Sequence, residues 1–180
     1  MNGRRLLRLG GLLALTLLAS AWIAIGGALA SGGITPGGTS SEGGGASAFP
    51  IRGNHTYGDG IGAGRGHQGQ DLMASCGKKV VAARAGRVRL VDYQASGAGN
   101  YVVIKGQGHS YDYVYMHMLK RVTVRKGERV EAGDQIGSVG STGRSTACHL
   151  HFEMWKAPGW YRGGALENPT PSLKRWDRAS

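Results

Sequence analysis

Residues 79–118 read KVVAARAGRVRLVDYQASGAGNYVVIKGQGHSYDYVYMHM, and the fold is decided here. β-Branched and aromatic residues gather in runs at 79–83, 87–93, 100–105 and 111–118. Glycine-containing breaks at 85–86, 96–99 and 106–108 separate these runs, the pattern of short strands joined by tight turns. Further runs follow at 122–125, 129–131, 135–139 and 149–155. After residue 49 no apolar i, i+3, i+4, i+7 repeat with caps is sustained, so the expectation is an all-β domain of antiparallel folded sheets or a sandwich. Residues 157–180, with Trp160, Tyr161 and Trp176 among glycine and proline, are expected as a packed irregular tail.

Upstream the composition changes. Residues 31–48 are almost all Gly, Ser, Thr and Ala, broken by Pro36 and Glu42, too poor in apolar surface to order, and are expected as a flexible linker. Residues 1–30 carry Arg4, Arg5 and Arg8, then an apolar stretch, then Ala28-Leu29-Ala30. A basic start, an apolar centre and a small-residue site together predict a secretory signal cleaved after Ala30. The alternative is an uncleaved membrane anchor, since the apolar stretch approaches the ~20 residues that span a bilayer. Export to the cell envelope or extracellular space is expected, with no stable membrane span in the mature form. The globular part is then residues 49–180, enough for one core of about 130 residues and not two.

The 180 residues include 33 Gly without a G-X-Y period, which excludes collagen, and two Cys, which exclude a disulfide-dense scaffold. Formal charge is +11, and losing the three arginines of residues 1–30 leaves +8 on the exported part. Such a domain is drawn to an anionic partner. Export and the lack of any nucleic-acid-binding signature argue against nucleic acid.

Three segments concentrate chemistry: Gly66-His67-Gln68-Gly69-Gln70-Asp71, Tyr115-Met116-His117-Met118 and Cys148-His149-Leu150-His151-Phe152-Glu153. On a strand His149 and His151 point to one side, while Leu150 and Phe152 point to the core. An imidazole pair, a third His and a nearby carboxylate suit a divalent metal, zinc first among them. Singly, each histidine equally fits an exposed or pocket side chain. Only the joint occurrence argues for a site.

These segments and their surroundings resemble the lysostaphin-like (LytM-type) zinc peptidases of family M23. The family's H-x-x-x-D, strand His and H-x-H occur in order as His67/Asp71, His117 and His149/His151. Residues 79–88, Gly99-Asn100-Tyr101-Val102-Val103-Ile104, residues 126–137 and residues 140–146 also resemble its motifs. The resemblance covers roughly residues 49–172. It implies a grooved β fold, one Zn²⁺ per chain held by His67, Asp71 and His151, and His117 and His149 as the catalytic pair. It implies hydrolysis of peptide cross-links or stems of bacterial peptidoglycan by a monomeric endopeptidase. The roles of His117 and His149 are not distinguished.

The Gly-rich segment 53–65, beside the first ligand, is expected either to wall the substrate groove or to be an ordinary surface loop. In the first case His55, Tyr57 and Asp59 would touch peptide, with Asn100 as a further substrate contact. Cys76 and Cys148, in an exported chain, are expected to form one disulfide bracing the ligand strand. The rival for the cysteines is thiolate ligation of the metal. Two other functions compete with hydrolysis. A non-catalytic relative that binds an amidase or wall peptide would typically lack ligands that are all present here. A biotinyl/lipoyl-type carrier, which residues 126–137 suggest, leaves the three histidine segments unexplained.

Overall fold

The computed structural model describes residues 45–64, 66–120 and 122–180. Among the described residues ten strands precede one helix: β1 Thr56–Tyr57, β2 Gln70–Met73, β3 Lys79–Val81, β4 Gly86–Gln94, β5 Gly99–Gly106, β6 Tyr111–Met118, β7 Arg129–Val130, β8 Gln135–Ser138, β9 His149–Lys156, β10 Leu166–Glu167 and α1 Thr170–Arg178. Eight strands form one antiparallel sheet in the order β1-β2-β9-β6-β5-β4-β7, with β10 also on β9. β3 and β8 form a separate two-stranded sheet. The all-β expectation is met, with one short helix added.

Alternation sorts the large sheet's two faces. Leu72, Val88, Val102, Ile104, Tyr113, Tyr115, Leu150 and Phe152 face the main core, where they meet Phe49, Val80, Ile136 and Val139. Leu150 and Phe152 are fully buried, worth about 1.5–3 kcal/mol each. The Ala83 N–H donates to the Tyr115 hydroxyl at 2.8 Å, joining the segment after β3 to the large sheet. On the opposite face Tyr101, Val103, Val114 and Met116 form a smaller cluster under Trp160.

The structure corrects the sequence reading in three places. Residues 157–180 are not irregular throughout: α1 closes the chain, with Arg175 and Arg178 in its last turn. Only Leu173 and Trp176 of α1 are buried, and two apolar positions three apart are too few to register as a period. Residues 122–125 are not a strand; the Thr123 N–H reaches the Ile136 carbonyl, but no ladder forms. The packed domain also begins before Phe49, since Ser47 bridges to Arg84 and the Ala48 N–H donates to the Ala83 carbonyl. The expected signal and residues 31–44 of the expected linker lie outside the described residues. Among the described residues no helix is long and apolar enough to cross a membrane.

Trp176 meets Tyr113 and Phe152 edge-on, with ring centroids 6.3 and 6.2 Å away. Trp176→Ala is expected to cost about 3–5 kcal/mol in denaturant unfolding, because it empties a site walled by two aromatic rings. A loss below about 1 kcal/mol would mean that the helix is peripheral to the core.

Candidate metal centre and active-site cleft

The central strand pairing builds the site. β2 pairs with β9 so that Asp71 lies directly opposite His151 and Met73 opposite His149. β6 pairs with the other edge of β9, placing Met116 opposite His151 and His117 just beyond. His67 enters from the turn before β2. Close approach of that turn requires Gly69, where a Cβ would lie 2.6 Å from the Phe152 carbonyl oxygen and 2.7 Å from His151 Nε2.

His67 Nε2 and His151 Nδ1 lie 3.0 and 2.9 Å from the same Asp71 oxygen, Oδ1. The ligand atoms of the three residues all fall within 4.8 Å of one another. The second nitrogen of each ring is engaged outward. His67 Nδ1–H donates to the Gly60 carbonyl at 2.9 Å, and His151 Nε2–H donates to Glu153 Oε1 at 3.0 Å. A carbonyl can only accept, so His67 carries a proton on Nδ1, and in its neutral form the ring turns the Nε2 lone pair inward. Two imidazole lone pairs and a carboxylate oxygen therefore converge on one point. Neutral rings in this arrangement repel the carboxylate, and a cation at that point reverses the sign. Burial opposes a charge on His151, but Asp71 and Glu153 on its two nitrogens outweigh it and push it up to about 9. Burial likewise opposes ionisation of Asp71, yet His151 and the neighbouring imidazoles hold its carboxyl below the ordinary carboxylate value. This donor set fits a divalent metal of zinc's preferences, with the outward bonds fixing each ligand's tautomer.

Two further imidazoles stand beside the cluster. His149 Nε2 is 3.6 Å from Asp71 Oδ1, and its Nδ1–H donates to the Ala147 carbonyl at 2.9 Å. His117 Nδ1–H donates to the Thr142 carbonyl at 2.8 Å, so its Nε2 is left as an acceptor. The two rings are 4.7 Å apart between centroids. Burial pushes His117 down to about 4, which keeps it neutral near pH 7. His117 has φ 62°, a left-handed conformation that costs a non-glycine residue about 1–3 kcal/mol and that gathers at functional sites. The cluster and both imidazoles line an open cleft of about 740 Å³ with Asp59, Arg144, Trp160 and Tyr161.

The sequence profile of peptidase family M23 matches residues 65–167, more than half of the chain. The chain belongs to this family. Peptidoglycan DD-endopeptidase ShyC of Vibrio cholerae is 42% identical over 92 residues, 50% of this chain and 20% of that protein. The catalytic domain of the antimicrobial peptidase lysostaphin from Staphylococcus simulans superposes with a TM-score of 0.61 at 32% identity, over 67% of this chain and 92% of that one. A zinc-containing peptidase from Vibrio cholerae gives a TM-score of 0.58 at 29% identity, over 67% of this chain and 39% of that one. The chain spans about a fifth of the length of the first curated relatives it matches.

The M23 chain brings His67, Asp71, His117, His149 and His151 together. It does not bring His55, Tyr57 or Asn100 to the cleft wall. His55 stacks on Phe49 at 4.0 Å and reaches Asp177 of α1 at 3.4 Å. The Tyr57 hydroxyl donates to the same carboxylate at 3.5 Å, and burial followed by that negative charge pushes it up to about 12. Both side chains tie the segment before β2 to the helix, an attachment invisible while α1 was unexpected. Asn100 donates to the Met118 carbonyl at 3.2 Å, where Thr142 Oγ1 also donates at 2.7 Å, and so supports the end of β6 that carries His117. Of residues 53–65, Asp59 does line the cleft.

Cys76 and Cys148 are joined in a disulfide 72 residues apart, next to His149. Among the described residues no free thiol is left to ligate a metal. Sequence reasoning assigned no role to Glu153, which is 3% exposed and accepts from both His151 Nε2 and Trp155 Nε1. Strand alternation held the signal, since Glu153 is two residues from His151 and shares its face. Tyr161, at φ 49° and 79% exposed, also lines the cleft, and no local sequence pattern marks it.

Proposed function

We propose that this chain is an exported zinc metallopeptidase that hydrolyses peptide bonds in bacterial peptidoglycan, acting as a monomer with one zinc ion. The observation that carries the reading is the pair His117 and His149. Both have Nδ1 committed to a backbone carbonyl and are set beside the His67–Asp71–His151 cluster in an open cleft. A zinc ion held by those three residues supplies Lewis acidity at the scissile carbonyl and acidifies water. Each imidazole keeps an Nε2 lone pair free to take a proton from the attacking water. A proton held there is then available to the departing amine. The Ala147 and Thr142 carbonyls fix the orientation of the rings, so neither must reorganise as the bond breaks. The substrate class is supported by the DD-endopeptidase activity named for ShyC, and export by the basic, apolar and small-residue order of residues 1–30.

The test is digestion of purified peptidoglycans of different cross-link type, with fragments read by mass spectrometry. New amino termini are expected from at least one wall, and their positions name the bond. Zinc-loaded protein that releases none from any wall would overturn the reading in favour of a binding or regulatory relative. His149→Ala and His117→Ala are each expected to lower turnover about 10²–10⁴-fold while zinc content stays near one per chain. A substitution that removes zinc as well would place that residue among the ligands.

A further inference from the structure

The sheet face that carries the metal cluster also carries a row of cations at its far end. Arg87 of β4 lies opposite Arg129 of β7 on one side and opposite Lys105 of β5 on the other. Their face is set by alternation: Val88, Ile104 and Val130 point into the main core, so Arg87, Lys105 and Arg129 point away from it. All three are exposed. Adjacent strands are ~4.8 Å apart, so three positive charges stand in line across roughly 10 Å. Along the same row Lys105 faces Asp112, and Asp112 faces Trp155, four residues beyond His151 on β9. The row is therefore roughly 15–25 Å from the cluster, counted along and across strands.

Arg87 Nη1 donates to the Gly127 carbonyl, but fold stability does not explain the row as a whole. Like charges directly opposite on a sheet repel, and among the described residues none of the three forms an ion pair. The neighbouring acids are committed elsewhere. Asp112 is buried and taken by Arg89 and the Trp160 amide, and Glu128 accepts from the Arg125 amide. A charge on edge strand β7 guards against edge pairing, which accounts for Arg129. Arg87 and Lys105 sit on interior strands, where no edge needs guarding. A fourth cation, Arg162, shares with Lys105 the wall of a recess of about 200 Å³.

We infer that this row binds a linear polymer of polyols joined by phosphodiesters, not a nucleic acid, on the same face as the cleft but outside it. A phosphodiester is ionised at every working pH and offers two oxygens to each guanidinium fork, which suits a row with two arginines at its head. Several such groups along one chain can meet several cations in line, and the attraction weakens as salt rises. The inference stands apart from the peptidase reading, because it concerns binding without hydrolysis.

The test uses the full chain and a fluorescent synthetic decamer of glycerol phosphate, titrated at low and at physiological salt. The triple variant R87Q/K105Q/R129Q is expected to bind at least about tenfold more weakly and to lose most of the salt dependence. The variant K120Q/K174Q/R178Q, which removes the same charge elsewhere, is expected to lose less than about threefold. Relief of like-charge repulsion should leave the first variant melting at or above the temperature of the parent. The single variant R87Q repeats the measurement with one change. Equal losses in the two triple variants would overturn the site in favour of net charge alone. Tighter binding of a charge-matched polyglutamate would overturn the phosphodiester assignment.

Discussion

Asp71→Ala is expected to empty the metal centre and to lower peptide hydrolysis by about 10³-fold or more. Asp71 Oδ1 is the atom on which His67 Nε2 and His151 Nδ1 both converge, at 3.0 and 2.9 Å. Without the carboxylate, two imidazoles remain with no negative charge to offset a divalent cation. Lewis-acid assistance is worth several kcal/mol, and each ~1.4 kcal/mol is a factor of ten in rate. Elemental analysis should fall from about one zinc per chain to near zero. Chelation of the unaltered protein should give the same loss and be reversed by added zinc, whereas the variant should not recover. A variant that keeps both its zinc and its rate would show that the ion is held elsewhere.

The paired substitution Cys76→Ser with Cys148→Ser is expected to lower stability by about 4 kcal/mol. Loop-closure entropy for a cross-link spanning 72 residues gives that magnitude. For a domain of this size the melting temperature should drop by roughly 10–20 °C. The bridge also fixes the chain immediately before His149, where an isolated pairing to Gly140 begins β9. Turnover should therefore fall in the variant at temperatures where it is still folded. A shift of a degree or two in melting would reduce the bridge to a surface ornament.

The strands between residues 79 and 118 were legible because β-branched runs, alternation and glycine breaks are local signals. Alternation also placed His149 and His151 on one face, with Leu150 and Phe152 in the core. The helix was not legible, because Leu173 and Trp176 are its only buried side chains. His55 and Tyr57 were assigned to the groove for the same reason: their partner Asp177 lies on that helix, about 120 residues away. The proposed division of the five residues into metal ligands and catalytic histidines came from family resemblance, not from spacing.

What the sequence determined by itself is the β architecture and the same-side presentation of the H-x-H imidazoles, because a strand's period of two acts between neighbours in the chain. Only the tertiary structure decided that Asp71 faces His151 and that Arg129 lines up with Arg87 and Lys105. Those are matters of register between strands far apart in the chain. Register is selected by which faces the whole core buries, and shifting one strand by a single residue would turn each of these side chains to the wrong side.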